Sequence, residues 1–169
     1  MTDPSSFEDL NVEIPEHVLS GIRDLGWQTP MPVQARVIPH LRQGGDLIVQ
    51  ARTGSGKTGA FGIPIVSAID TTLAATQALV LLPTRELANQ VAREVEIMGK
   101  HRGVRCLPVY GGVGYGPQNE GLAEGAHVVV GTPGRILDHL GAGRLVLDRV
   151  CWFVLDEADE LLSLGFWPD

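Results

Sequence analysis

Residues 51–58, with the sequence Ala-Arg-Thr-Gly-Ser-Gly-Lys-Thr, lie between an apolar run at residues 46–50 and a stretch of helical character at residues 57–69. The two glycines allow the backbone to curl, so that several N–H groups can point at one phosphate. A helix that follows such a loop adds the positive end of its dipole. The segment therefore predicts a strand, a phosphate-binding loop and a helix. The residues expected to bind nucleotide here are Thr53, Gly54, Ser55, Gly56, Lys57 and Thr58.

The chemistry of this loop is carried by its last two residues. Lys57 offers a point charge to the β- and γ-phosphates and is a candidate catalytic residue, and the Thr58 hydroxyl is a candidate Mg²⁺ ligand. Ala51 stands where the strict pattern G-x-x-x-x-G-K-[ST] has its first glycine. The expected strand before the loop and helix after it nevertheless favour phosphate binding over an ordinary turn.

The rest of the chain predicts an α/β fold. Five runs rich in Val, Ile and Leu predict buried strands, and Leu87, Val91 and Val95 repeat with helical period between two of them. Alternating strands and helices predict an open, mostly parallel sheet with helices on both faces, which binds its ligands at the carboxyl ends of the strands. The five predicted strands are residues 46–50, 78–82, 104–109, 127–130 and 150–156.

Composition is that of one ordinary globular domain of 169 residues, with 44% hydrophobic and 20% charged residues. No apolar run is long enough for a membrane span and no secretory signal is present, so a cytoplasmic location is expected. Cys106 and Cys151 each lie in an apolar run and are expected to be buried free thiols. The net charge of −7 does not exclude a nucleic-acid partner, because phosphate contacts need only a few well-placed donors.

The last apolar run ends in the acidic tetrad Asp156-Glu157-Ala158-Asp159. Adjacent carboxylates at a strand end are costly to bury unless they face a metal or have partners. Asp156 is predicted to hold Mg²⁺ through water, and Glu157 to orient and deprotonate an attacking water. The alternative is a helix N-terminus, where the dipole favours acidic residues. The phosphate loop upstream favours the metal interpretation.

These two motifs together resemble those of DEAD-box ATP-dependent RNA helicases. Four further segments resemble motifs of the same family, so that six motifs in the family's order cover essentially the whole chain. They are the Q motif at residues 26–34, motif I at 51–58, motif Ia at 83–88, the glycine doublet at 111–112, motif Ib at 132–135 and the acidic motif at 156–159.

The resemblance implies that ATP and Mg²⁺ are the cofactors. The Gln34 amide is suited to pair with the N6 and N7 edge of adenine, which predicts a preference for ATP over GTP. Phe7 would stack on the adenine ring; the alternative is that it belongs to the core. Two positions depart from the family's usual pattern, with Met31 in place of Thr or Ser and Trp27 in place of Phe or Tyr.

The resemblance also implies an RNA surface that grips the backbone without reading bases. Its hydroxyls, glycines and arginine forks are all suited to phosphate. The alternative is that the arginines are solvated and the threonines are helix caps. The residues expected to contact RNA are Pro83, Thr84, Arg85, Gly111, Gly112, Thr132, Pro133, Gly134 and Arg135.

For domain organisation, the resemblance implies an N-terminal flank at residues 1–35 and an incomplete RecA-like domain at residues 36–169. The family's third motif and second RecA-like domain are not in the sequence, and Asp159 is expected to couple to that domain. The chain alone is therefore expected to bind nucleotide weakly and not to unwind RNA. A DNA helicase or translocase and a nucleotide-sensing scaffold remain as alternatives.

Overall fold

A computed structural model describes residues 4–163 of the chain. Its contacts divide the chain into two compact units. The helical unit comprises the residues up to 69 together with residues 94–103, and the sheet unit comprises residues 70–93 and those from 104 onward. The predicted boundary at residue 35 stays a prediction.

The sheet unit contains four parallel strands in the order β2-β3-β1-β4. Each lies within one of the predicted runs or is displaced from it by one residue, which confirms the predicted parallel α/β fold. The core beside the sheet is formed by buried aliphatic residues that include Leu79, Val129 and Ile136. The strands are β1 (Ala78–Leu81), β2 (Cys106–Val109), β3 (Val128–Gly131) and β4 (Trp152–Leu155).

The predicted strand at residues 46–50 is wrong. These residues have no regular secondary structure and are exposed, and the Ile48 side chain is fully accessible. Aliphatic composition favours a strand only where a neighbouring backbone accepts and donates the ladder hydrogen bonds. Within residues 4–163, none of the four strands pairs with this segment.

Seven α-helices are described between residues 4 and 163. Helix α3 begins where the sequence predicts it, because Gly56 adopts a left-handed conformation with φ of 90° and ends the loop. Helices α2 and α5 were not predicted; both begin with proline in the first turn. The helices are α1 (Glu16–Asp24), α2 (Pro32–Gln43), α3 (Lys57–Ala68), α4 (Arg85–Gly99), α5 (Gly116–Ala123), α6 (Pro133–Gly141) and α7 (Ala158–Ser163).

In the helical unit, α3 is buried along most of its length and packs against α2. Gly21 in α1 lies so close to the Ile97 and Met98 carbonyl groups that a Cβ there would overlap with them. This close approach fixes α1 against the chain that follows residue 94. None of the described helices is both long and apolar enough to cross a membrane.

Neither Cys106 nor Cys151 is in a disulfide, and their predicted burial is not found. Cys106 is half-buried and Cys151 is exposed. Cys151 lies just before β4, whose side chains are only partly covered, so its apolar neighbours in sequence do not bury it.

Candidate functional site

The phosphate loop in the helical unit is held from inside by its own lysine. The Lys57 ammonium donates a hydrogen bond to the Ala51 carbonyl oxygen over 3.2 Å. The Ser55 hydroxyl is buried, yet it has no hydrogen-bond partner within residues 4–163. A Cβ on Gly54 would meet no other described atom within 4 Å. The loop therefore has open space and an unused hydroxyl donor where a phosphate would lie, which fits the predicted ligand.

The Q motif and the phosphate loop are brought together by one side chain. Gln34 is 2% exposed, and its amide nitrogen donates to the Gly56 carbonyl oxygen over 3.1 Å. Its amide oxygen accepts from the Met31 backbone N–H over 2.8 Å. Each bond uses one donor or one acceptor site, so one N–H and one lone pair remain for a ligand. The bond from Met31 uses the backbone, so it does not depend on the departure from Thr or Ser.

Trp27 and Met31 also pack against this loop. A Cβ on Gly59 would lie 2.7 Å from the Trp27 ring, and one on Gly56 would lie 2.7 Å from the Met31 sulfur. These glycines are required because the Q motif approaches the α3 backbone too closely for any side chain. The geometry of the phosphate loop therefore depends on the Q motif.

Phe7 lies at the N-terminal end of the same unit and is 2% exposed. It lines a cavity of about 390 Å³ together with residues that include Trp27 and Gln28. Burial favours a core role for most of the ring, and the cavity leaves room for a ligand beside it. Stacking of Phe7 on adenine stays a prediction.

In the sheet unit, the carboxyl ends of the four strands place four motifs side by side. The Leu82 N–H donates to the Gly131 oxygen over 2.9 Å, and the Thr132 N–H donates to the Val109 oxygen over 3.0 Å. The Asp156 N–H donates to the Leu81 oxygen over 3.0 Å. The order along this edge is thus the glycine doublet, motif Ib, motif Ia and the acidic tetrad.

Arg85 and Gly112 are neighbours on this edge. The Arg85 guanidinium lies 3.7 Å from the position of a Cβ on Gly112, and its side chain is 59% exposed. A 2.7 Å hydrogen bond to Glu86 raises the pKa of Arg85, so its charge is present at every physiological pH. Arg85 is therefore an exposed, charged group beside an exposed glycine backbone, which suits a phosphate contact.

The two threonines differ in their local roles. The Thr84 hydroxyl accepts from the Leu87 N–H over 3.3 Å and caps α4. The Thr132 side chain makes no cap hydrogen bond within the described part of the chain. The two prolines of these motifs, Pro83 and Pro133, are buried, whereas Gly111 and Gly134 are exposed. The exposed backbone at these glycines, the exposed Arg85 side chain and the partly exposed threonines are therefore the parts of these motifs that a ligand can reach.

Arg135 is buried, with 8% of its surface exposed. Its guanidinium donates to the Val113 carbonyl oxygen over 3.0 Å and lies 3.9 Å from the centre of the Tyr115 ring. The structure places this arginine beneath the glycine-rich segment, and its predicted contact with RNA stays a prediction. Gln118, Tyr115 and His139, which surround it, were not predicted as functional residues.

The acidic tetrad begins where β4 ends. Glu157 has φ of 51°, and it is the only non-glycine residue with positive φ among residues 4–163. Such strain, about 1–2 kcal/mol, is typical of functional sites. Its N–H donates to the Asp156 carboxylate over 3.0 Å. The following helix α7 has Asp159 in its first turn, where the dipole favours a carboxylate.

A metal site made by protein ligands alone is not found in the part of the chain that the structure describes: no three His, Cys, Asp or Glu side chains are clustered suitably. Mg²⁺ in phosphoryl-transfer sites is normally held by one or two protein ligands and by the phosphates themselves. The Thr58 hydroxyl in the helical unit and the Asp156 carboxylate in the sheet unit are each an oxygen donor of this kind, and their assignment to Mg²⁺ stays a prediction.

Comparison with known proteins finds a family model that matches most of the chain and relatives that match nearly all of it. A family model described as DEAD/DEAH box helicase matches residues 31–169. An ATP-dependent RNA helicase DeaD from Haemophilus influenzae is 49% identical over 170 residues, covering 100% of this chain and 27% of the relative. A DEAD-box ATP-dependent RNA helicase CshA from Bacillus cereus is 46% identical, covering 98% of this chain and 31% of the relative.

Solved structures agree with the fold. A DEAD box protein from the hyperthermophile Methanococcus jannaschii matches with a TM-score of 0.89 and 40% identity, covering 98% of this chain and 45% of the other. A hypothetical ATP-dependent RNA helicase from Sulfolobus tokodaii matches with a TM-score of 0.80 and 38% identity, covering 89% of this chain and 44% of the other. The chain spans roughly a quarter to a third of the curated relatives quoted above.

Proposed function

The chain belongs to the DEAD/DEAH box helicase family, and on that premise we propose that it is the nucleotide-binding and first RNA-binding part of an ATP-dependent RNA helicase. In this proposal the helical unit binds ATP through Gln34 and the phosphate loop. The sheet unit grips one RNA strand by its backbone. A second RecA-like domain completes both sites.

The observation that carries this proposal is the order of motifs along the carboxyl edge of the sheet. Each of the four strands is followed directly by a motif whose groups suit phosphate, RNA backbone or water activation. The stability of an α/β domain does not require exposed glycines, a charged arginine and a strained glutamate at neighbouring strand ends. Their presence there therefore indicates a binding site.

Each nucleotide-site residue has a proposed role. Lys57 neutralises charge on the β- and γ-phosphates. Thr58, and Asp156 through water, are each proposed as ligands of Mg²⁺, which would supply further neutralisation of the phosphates. Glu157 orients the attacking water and accepts its proton. Glu157 favours an ATPase over a nucleotide-sensing scaffold, because binding alone needs no general base.

On the RNA side, Arg85 and the exposed backbone at Gly111, Gly112 and Gly134 bind phosphates, with the Thr84 and Thr132 hydroxyls as further donors. None of these groups is suited to read base edges, so binding is proposed to be independent of sequence. Asp159 couples this unit to the second domain. ATP binding and hydrolysis would close and reopen the two domains on the RNA, which separates a short duplex.

The proposal is tested first by calorimetry of the chain with ADP and with GDP in the presence of Mg²⁺. We expect ADP to bind at least about tenfold more tightly than GDP, because guanine offers an acceptor where adenine N6 donates. Gln34→Ala should reduce that preference. Equal affinities for ADP and GDP in the parent chain would contradict the adenine-reading role of the Q motif.

A second measurement separates the RNA helicase from a DNA helicase or translocase. ATP hydrolysis by a protein that contains this chain and a second RecA-like domain is compared with single-stranded RNA and with single-stranded DNA of the same sequence. We expect stimulation by RNA to exceed that by DNA. Stimulation by DNA alone would overturn the assignment of RNA.

A further inference from the structure

The segment between β2 and α5 contains the glycine loop, defined as residues 111–114, which is exposed throughout. Gly112 has φ of 80°, a conformation that other residues rarely adopt. A loop of this composition has little intrinsic order, because glycine has the largest backbone entropy to lose. Its shape must therefore be imposed by the residues that surround it.

Two buried side chains hold the glycine loop at two points. The Arg135 guanidinium of α6 donates to the Val113 oxygen over 3.0 Å. The Gln118 amide of α5 donates to the Tyr110 oxygen, just before the loop, over 3.0 Å. Gln118 is 4% exposed and Arg135 is 8% exposed. Both donors are thus buried, and the two hydrogen bonds that they make are partly shielded from water, which strengthens them.

The two supports are joined to each other. The Gln118 amide oxygen accepts from Arg135 over 3.3 Å and from the His139 ring over 3.0 Å. Because an amide oxygen only accepts, His139 carries its proton on Nε2, and its buried Nδ1 has no partner within residues 4–163. The Tyr115 ring covers the Arg135 guanidinium, and its hydroxyl donates to Asp138 over 2.9 Å. One network therefore connects α5, α6 and the loop.

We propose that Arg135 is a positioning residue, which acts on RNA by fixing the shape of the glycine loop and not by contacting phosphate. Its two terminal nitrogens donate to Gln118 and Val113, and its Nε lies 3.6 Å from the Asp138 carboxylate. The group is also stacked on Tyr115, so its charge is covered. Arg85, which is exposed beside Gly112, is the arginine that meets phosphate directly. This inference rests on the proposed RNA-binding function.

The dependence of RNA affinity on salt distinguishes the two roles. Each phosphate contact that is lost reduces the slope of log affinity against log salt by about 0.7 for a single strand. Arg85→Gln is expected to reduce the slope by that amount. Arg135→Gln is expected to weaken binding of an oligouridylate by about tenfold at every salt concentration with an unchanged slope, because the loop must then be ordered during binding.

Arg135→Lys provides the conservative comparison. Lysine keeps the charge but lacks the planar fork that reaches two acceptors and stacks on Tyr115. We therefore expect Arg135→Lys not to restore affinity. Recovery with lysine, or a reduced slope in Arg135→Gln like that of Arg85→Gln, would overturn the proposal in favour of a direct phosphate contact.

Amide hydrogen exchange of the chain without RNA tests the same proposal independently of RNA binding. Arg135→Gln should accelerate exchange at residues 111–114 by at least about tenfold, and Arg85→Gln should leave it unchanged. Tyr115→Leu, at a position 42% exposed, is a milder variant in case Arg135→Gln does not fold, and it should accelerate the same amides. Unchanged exchange in a folded Arg135 or Tyr115 variant would overturn the proposal. Absence of RNA binding by a protein that contains this chain and a second RecA-like domain would contradict the proposed function instead.

Discussion

The phosphate loop and the glycine loop have similar compositions but different supports. The phosphate loop is held by its own Lys57 and by one bond from Gln34, and it keeps an unused buried hydroxyl at Ser55. The glycine loop is held from beneath by a connected group of buried side chains. The first loop has donors left for a multiply charged ligand to satisfy. The second is shaped in advance by the protein, as suits a ligand held through many weak backbone contacts.

The largest effect on nucleotide affinity is expected from removing the charge of Lys57. Lys57→Ala should weaken ADP binding by about 100-fold, because a charge-assisted hydrogen bond to phosphate contributes roughly 2–3 kcal/mol. Calorimetry with Mg²⁺ measures this, with Arg52→Ala, an exposed neighbour in the loop, as the matched control. A loss smaller than about threefold would mean that the loop does not organise around its ligand, and the contrast between the two loops would fail.

The next effect concerns two helical glycines, one in each unit. Gly59→Ala should destabilise the chain by about 2 kcal/mol, because the new methyl group would overlap with Gln34 and lie 2.7 Å from Trp27. Gly134→Ala is the matched control in α6, where a Cβ meets no other described atom within 4 Å. It should stabilise the chain by about 0.5–1 kcal/mol. Thermal unfolding measures both, and a loss of stability in both variants would contradict the tight contact between the Q motif and α3.

The smallest effect is a pH dependence confined to the sheet unit. Burial lowers the pKa of His127 and of His139, and the neighbouring Arg105 and Arg135 lower them further. The unfolded chain binds protons as the pH falls below about 6.5, whereas these folded rings stay neutral to lower pH. The unfolding free energy is therefore greatest above pH 6.5 and falls on acidification, by about 1.4 kcal/mol for each unit of pKa lowering per ring.

Thermal midpoints at about pH 7.5 and about pH 5.5 measure this dependence. His139→Gln keeps a donor for Gln118 and removes the titration, so its midpoint should change less with pH. His40→Gln, at an exposed position in the helical unit, should behave like the parent chain. If acidification lowered the protection of the amides equally in both loops, after correction for the intrinsic pH dependence of exchange, the buried support would not be specific to the glycine loop.

What the sequence could predict was set by local signals. The phosphate loop and α3 follow from glycines, a lysine and the apolar residues behind them, all within one continuous stretch. The strands at residues 78–81 and 128–131 carry apolar residues on both faces of the sheet, so their continuous apolar sequence predicts them. Local signals also gave two wrong indications. Residues 46–50 have the composition of a strand but no strand pairs with them in the described sheet. Pro39 disfavours a helix, although it lies inside α2.

The burial of Arg135 could not be predicted, because it depends on partners distant in sequence. Charge type alone favours an exposed arginine. Its partners Val113 and Gln118 lie 22 and 17 positions away, and only the packing of α5 on β2 and the position of α6 bring them together. The same limitation applies to Gln34, whose partner Gly56 is 22 positions away.

Strand β4 has a practical consequence for handling the chain. It is the last strand in the order of the described sheet, and two of its four side chains, Phe153 and Leu155, are 60% and 51% exposed. Free backbone donors and acceptors beside large apolar side chains make such a strand a template for aggregation. These two residues are therefore expected to contribute to self-association in concentrated solutions, although the net charge of −7 keeps the molecules apart at low ionic strength. Added salt, which screens that repulsion, should promote turbidity before it affects the fold.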